Sequence, residues 1–429
     1  MNLDHTLIAP TLPTGWRVMP FWSLFRRKKR IGYEHEELLS VYRDYGVIPK
    51  SSRDDNHNKE SEDLSGYQLV KEGSLVTNKM KAWQGSIAIS RYRGIVSPAY
   101  YVYDPTSREC DQFLHYLLRS DPYINLYGRI SKGVRVNQWD LEHEALRNIP
   151  VLLPDIATQC QIADFLDRET SRIDLLIEKK QRLVEITAER LRSALNSLLL
   201  EGVSQKDSFT PMNLEWLSRL PSPWTLTKLK FLGIGGERTT QMGPFGGMLT
   251  ALSSSETEFK LYGQENTISR DFRKGSRWLS KETFLELSRY ELQPGDIVLT
   301  RKGTLGKCAS FPSDAQRGIA DSDTIRIRLN HSVFSHWMLE NTLQYAAYIS
   351  GQIELEKRGA ILAGLNTSII DNLYLAVPPM CEQRKIEVIG SRMLANSSDL
   401  QRKFSVSITR LREYRSALGR VDKRDSPRA

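Results

Sequence analysis

No stretch of the chain approaches the roughly eighteen uninterrupted apolar residues of a bilayer-spanning helix, so no segment is expected to cross a membrane. The first residues, MNLDHTLIAP, have neither a basic start nor a long apolar core. No export signal is therefore expected, and the cytoplasm is the default compartment. Cysteine is scarce: Cys110, Cys160, Cys308 and Cys381 are scattered, with neither the paired spacing of a zinc site nor a disulfide framework. The seven histidines form no His-Glu-x-x-His and no cluster with cysteine, which leaves metal catalysis without support.

Catalytic signatures are missing as well. The Asn-Pro-Pro-aromatic segment that marks adenine methylation does not occur. Phe231-Leu-Gly233-Ile-Gly235-Gly236 superficially resembles the glycine turn that holds S-adenosylmethionine, but glycine and proline break up the next stretch, Glu237 to Pro244, where a helix is required. Gly303-Thr-Leu-Gly306-Lys307 lacks the spacing of a phosphate-binding P-loop and the Ser/Thr after its lysine. Carboxylates are plentiful, yet none has a spacing assignable to nuclease metal binding. No active site, metal or cofactor of the chain's own is expected.

What is there is length, positive charge and repetition. At 429 residues the chain is too long for one ordinary core, and 40% apolar residues suffice for folding. Sixty Lys+Arg against 51 Asp+Glu give a net +9, which favours a polyanionic partner without identifying it. Pro154 to Leu200 and Pro378 to Arg420 each continue past their opening prolines for about forty residues without another proline. An offset of 224 lays Asn148 on Asn372, Gln159 on Gln383 and Ile162 on Ile386. Both stretches open with a strand-like apolar run and a proline at which a helix can start. Apolar residues at three-and-four spacing then form a narrow stripe: Ile162, Leu166, Ile173, Leu176 and Leu183 in one, Ile386, Met393, Leu400, Phe404, Leu411 and Leu418 in the other. Each stripe needs a partner, most simply the other helix. Forty residues at about 1.5 Å rise make a rod of roughly 60 Å.

The repeat extends beyond the helices. Leu12-Pro13 with Trp16 returns as Leu220-Pro221 with Trp224. Leu69 to Lys79 echoes Leu292 to Arg301, a glycine turn entering a short strand that ends in a basic residue, and Arg93-Gly94-Ile95 echoes Arg317-Gly318-Ile319. Elsewhere the halves diverge, as expected of two related domains that recognise different things. The expected plan is a first globular domain over 1–153, a helix over 154–200, a linker and second domain over 201–377, a helix over 378–420 and a disordered tail over 421–429. Ser86–Ser90 and Pro98–Tyr103 read as strands, Asp111–Leu118 and Val333–Ile349 as helices, and Lys50–Lys59 and Gln241–Gly247 as loops.

Two groups of residues suit DNA. In the first half, Arg26, Arg27 and Lys28 belong to the densest basic run, and Lys79, Lys81, Trp83, Gln84, Arg91 and Arg93 mix cationic, amide and aromatic side chains fit for phosphates and base edges. In the second, Arg301, Lys302, Thr304, Arg317, Ser322 and Asp323 occupy the matching region, where Gly303 and Gly306 would let the backbone approach a duplex. The bland alternatives are solvated surface charge and a coiled-coil scaffold with no DNA role.

This pattern resembles the specificity subunit of type I restriction-modification systems over nearly the whole chain. The resemblance rests on the two proline and tryptophan openings, on Gly295-Asp296-Ile297 and Gly243-Pro244-Phe245-Gly246, and on Pro378-Pro-Met-Cys-Glu-Gln-Arg-Lys-Ile386, which looks like the family's PP-x-x-EQ-x-x-I. The first helix opening departs from it at Asp155 and Thr158. The resemblance implies a mixed α/β fold: two target-recognition domains with twisted, mostly antiparallel sheets, separated by two long helices in an antiparallel coiled coil. It also implies a non-catalytic subunit that reads a bipartite, asymmetric double-stranded DNA target. Two modification subunits carrying S-adenosylmethionine would methylate adenine, and restriction subunits, where present, would bring ATP with Mg for translocation and cleavage.

Overall fold

The computed structural model describes residues 5–43, 45–52, 63–135, 138–203, 208–249, 252–253, 255–256, 258–301, 306–358 and 364–418. The 53–59 part of the expected first loop and the expected 421–429 tail lie outside the described residues. Contacts divide the chain into two units, residues 1–182 with 403–429, and residues 183–402.

The first unit is built on an antiparallel sheet in the order Phe25–Arg27, Tyr100–Pro105, Leu75–Asn78, Ile87–Ile89. Period-two alternation gives each strand two apolar faces. Leu75, Ile87, Ile89 and Tyr103 pack with the helices Asp111–Leu118 and Asp121–Ile130, while Val76, Ala88 and Val102 pack with Leu39, Val41, Val70 and Val96 from a second layer. Fully burying each such side chain stabilises by about 1.5–3 kcal/mol.

The second unit repeats the order with Thr240–Met242, Thr324–Ile327, Ile297–Thr300 and Cys308–Ser310. The strand after each tryptophan pairs antiparallel with the strand before each long helix: Arg17–Pro20 with Pro150–Leu153, and Thr225–Lys228 with Tyr374–Val377. Gly94 and Gly318, joined by the faint echo, both lie in strands crowded by backbone. An added Cβ would meet the Glu37 carbonyl at 2.3 Å and the Lys260 carbonyl at 2.0 Å. Their partners differ, since Gly94–Val96 pairs antiparallel with Gln68–Val70 but Gly318–Ala320 runs parallel to Phe259–Tyr262. The outer layers are where the halves part.

Two side-chain brackets recur. The Gln159 and Gln383 amides are fully buried. Each donates to the carbonyl of its helix-opening proline, Pro154 at 3.0 Å and Pro378 at 2.8 Å. Each also accepts the N–H of an N-cap residue, Cys110 and Ser335, at 3.0 Å. The Tyr123 and Tyr348 hydroxyls each accept a strand N–H, from Leu152 and Ala376, at 3.1 Å. Backbone groups at the helix starts and strands thus find their partners within the repeat.

The long helices are Ile156–Glu201 and Met380–Ala417. In the first unit Arg415 grips Asp174 through Nε (2.6 Å) and Nη2 (2.9 Å), and Lys180 lies over the Phe404 ring at 5.7 Å. In the second, Leu195, Leu198 and Leu199 share a core with Ile386, against which Leu191, Met393 and Leu394 pack. Early residues of one helix meet late residues of the other, so the pair is antiparallel. Its seam coincides only in part with the stripe read in the sequence. Leu176 (39% exposed), Leu183 (45%) and Leu400 (38%) face outward, and Ile162 and Leu166 pack against the first unit's globular core. Ile173 and Ile408 are buried, Ile177, Val184, Phe404, Leu411 and Leu418 half-buried. Leu175-Leu-Ile177 offers three adjacent apolar residues, and the sequence does not say which faces in.

Two local readings are corrected. Val333–Ile349 is not one helix, because helices His336–Tyr345 and Ala347–Arg358 meet at an extended Ala346, where Asn196 Oδ1 accepts the Ala347 N–H at 2.7 Å. Gln241 and Met242 belong to an edge strand rather than a loop, paired with Arg326 and Ile325.

Candidate nucleic-acid interface

In the first unit the basic run and the lysine turn converge on one ring. Arg27 stands on the edge strand opposite Tyr103, and Lys79 directly follows the central strand. The Arg27 guanidinium lies 4.4 Å and the Lys79 ammonium 4.7 Å from the centre of the Tyr101 ring, a cation on an aromatic face in each case. Lys79 Nζ also donates to the Pro98 carbonyl at 2.6 Å, and its own carbonyl accepts the Leu141 N–H at 2.9 Å. That last bond brings up the strand Gln138–Asp140, whose Trp139, 40% exposed, packs on Trp83 with ring centres 4.9 Å apart. Trp83 is held in a short 3-10 turn by donating from Nε1 to Met80 O at 3.1 Å, and Gly85, at φ +92°, ends that turn.

Burial and neighbouring charge perturb the groups gathered here. Burial, then the Arg27 charge, push the Lys79 ammonium below the ordinary lysine value, and the same two causes lower His143. Burial and Asp140 raise the Tyr101 phenol. Arg26 and Arg27 also line a cleft of ≈ 240 Å³ with Trp22, Phe25, His143 and Arg147. Positive charge beside exposed indole faces is chemistry for phosphates and stacked or splayed bases.

Register separates the remaining first-half candidates from this cluster. Leu75 faces Ile89 and Thr77 faces Ile87, so Lys79, Lys81, Trp83 and Gln84 emerge at one end of the strand pair and Arg91 and Arg93 at the other. Arg93 is held by Glu36 through Nε (2.8 Å) and Nη2 (2.7 Å). Arg91 and Lys81 are exposed, and Lys28 is fixed by its backbone to the Val102 carbonyl. Trp22, Tyr101, Trp139, His143 and Arg147 were not found from the sequence. Tyr101 could have been, since the tyrosine run 100–103 alternates along a strand.

In the second unit the matching end carries Arg301, whose Nε donates to Leu365 O at 3.0 Å and whose Nη1 reaches Ser322 O at 3.4 Å. Its N–H bonds the Asp323 carbonyl at 2.9 Å. This arginine braces two chain segments. Lys302 and Thr304 lie outside the described residues. Arg317 pairs with Glu291 (2.9 Å) and covers the Phe259 and Phe284 rings at 5.7 and 5.1 Å. The Leu229–Leu232 stretch before the glycine-rich 233–236 segment is a 3-10 turn that leads to an edge strand, not the strand-to-helix turn of a dinucleotide site.

Residues 27–187 match the family described as the type I restriction modification DNA specificity domain. The type I restriction enzyme EcoKI specificity subunit of Escherichia coli (strain K12) is 21% identical, over 94% of this chain and 87% of its own length. Two solved structures share the fold at 15% identity. One, described as the structural basis underlying complex assembly and conformational transition of the type I R-M system, aligns over 95% of this chain and 97% of its own with a TM-score of 0.67. The other, the HsdS subunit from Thermoanaerobacter tengcongensis, aligns over 96% and 97% with a TM-score of 0.56.

Proposed function

We propose that the chain is a specificity subunit of a type I restriction-modification system, a reading supported by the match of residues 27–187 to that DNA specificity domain and by the likeness to the EcoKI specificity subunit along nearly the whole chain, and that it reads a bipartite, asymmetric DNA sequence, one part with each unit, and directs adenine methylation and restriction by partner subunits. The observation that carries the reading is a duplicated frame with unlike faces. The Gln159 and Gln383 brackets and the Tyr123 and Tyr348 brackets are superposable in role, whereas the matching ends differ: Arg27, Lys79 and Tyr101 with two indoles in one unit, a braced Arg301 in the other.

On this reading Arg27 and Lys79 engage phosphates and Trp83 and Trp139 offer a stacking face, while the paired helices fix the spacing of the half-sites. Modification subunits dock on the helices, whose outward Leu175, Leu176 and Leu183 are apolar, and they supply S-adenosylmethionine. Restriction subunits bring ATP and Mg. The duplex must be held while a partner takes the flipped adenine.

The test is to express the chain with its modification partner, map methylated adenines, and exchange residues 12–153 for those of a relative with another target. One half of the methylated motif changes and the other stays. A change in both halves, or in neither, refutes the modular assignment.

A further inference from the structure

The second unit has a cleft of ≈ 550 Å³ at the end of its sheet away from Arg301, where Ile297 faces Ile327. Among the described residues, Arg238, Arg289, Arg326 and Arg328 line it against two carboxylates, Glu237 and Glu291. Both acids are already engaged, Glu291 by Arg317 at 2.9 Å and Glu237 by Arg328 at 3.3 Å. Arg328 is neutralised further by a two-pronged bond to Asp296 at 2.8 and 2.7 Å.

Arg326 is different. It is 94% buried; among the described residues its Nε has no acceptor, and its Nη1 reaches only the Glu291 carbonyl at 3.5 Å. A guanidinium taken out of water with so little compensation is costly. Nor does the fold require a charge there. Val298 faces Arg326 across the ladder just as Val76 faces Val102 in the first unit, and Val102 sits in an apolar layer. Where the first unit holds a core valine, the second holds an arginine that ends in a cleft of arginines.

We infer that this cleft binds a phosphate group, with Arg326 as its buried donor and Arg238 and Arg289 closing over the anion from the rim. Planar guanidinium forks match phosphate oxygens two at a time, and an acceptor at Nε completes the fork of Arg326. The phosphate comes either from the DNA backbone, in which case the site rests on the function proposed above, or from a free phosphate ester.

The experiment compares the full-length wild-type chain with Arg326→Met and with the rim double variant Arg238→Gln/Arg289→Gln. Methionine at 326 restores the apolar character of position 102, so folding is retained. Inorganic phosphate, exchanged for chloride at constant ionic strength, raises the wild-type melting temperature by about 3 °C at ten times its dissociation constant and leaves both variants unmoved. An equal rise in all three proteins, or none in the wild type, overturns the site. In a second arm, duplex binding by the complex with modification subunits is measured against salt. If the occupant is a backbone phosphate, Arg326→Met lowers the slope of log K against log salt by about one and phosphate competes with DNA. An unchanged slope beside a phosphate-specific melting shift assigns the site to a free phosphate ester. If the wild-type complex binds no DNA, the proposed function fails while the melting comparison still decides the cleft.

Discussion

Tyr101 collects two cations that sequence places 52 residues apart, and this fixes what each should do on DNA. On the proposed function, replacing Lys79 by Met or Arg27 by Gln removes one phosphate neighbour, so each variant should bind duplex more weakly and lose about one unit from the salt slope. Arg93→Gln serves as the contrast, since its charge already meets Glu36, and its slope should stay near that of wild type. Lys79 adds a pH dependence. Its pKa is lowered in the free protein by burial and Arg27, and a bound phosphate would raise it again. Affinity should therefore fall as pH rises through the alkaline range below the ordinary lysine value, and the fall should be smaller in Lys79→Met. A parallel fall in both proteins would exclude Lys79 from the interface. At this scale the sequence displayed charge but not its partners. Arg93, Arg301 and Arg317 read as free donors because Glu36, Leu365 and Glu291 lie 57, 64 and 26 residues away. Arg326 escaped notice because it sits in an apolar strand rather than a basic run.

Among elements, the long helices were the most legible, because forty residues free of interior proline leave few alternatives and Pro154 and Pro378 mark their starts. The register of Gln159 on Gln383 was legible too, but not its use, since the N-caps it serves are 49 and 48 residues away. Gln159→Leu and Gln383→Leu should each cost about 1–3 kcal/mol in denaturant unfolding, because the change strands a buried N–H and a proline carbonyl. Tyr123→Phe and Tyr348→Phe lose one bond each, about 1 kcal/mol. A result near zero for the glutamines would remove the bracket from the account of the fold. The phase of the helix seam was not legible, since apolar residues crowd both sides of it. Ile177→Asp places a charge at the seam and should destabilise the chain by more than about 2 kcal/mol. Leu176→Asp, one residue away and already exposed, should leave the free chain near wild-type stability and weaken capture of the modification subunits in a pull-down. Equal destabilisation by the two would place the seam elsewhere.

For the whole molecule, the proposed function makes helix length a ruler, and the repeat makes that ruler adjustable. Seven residues added to each long helix, between Ile177 and Val184 in the first and at the facing level near Phe404 in the second, keep the heptad phase and so keep both seams apolar. The insertion adds about 10 Å, and at 3.4 Å per base pair the two parts of the methylated motif should separate by about three further base pairs, with their sequences unchanged. Inserting seven residues in one helix alone throws the pair out of step and should abolish methylation without altering duplex binding by an individual unit. If the lengthened pair instead methylates at the original spacing, the helices do not set the gap. If it methylates a motif of altered sequence, recognition is not confined to the two sheets and the faces they carry.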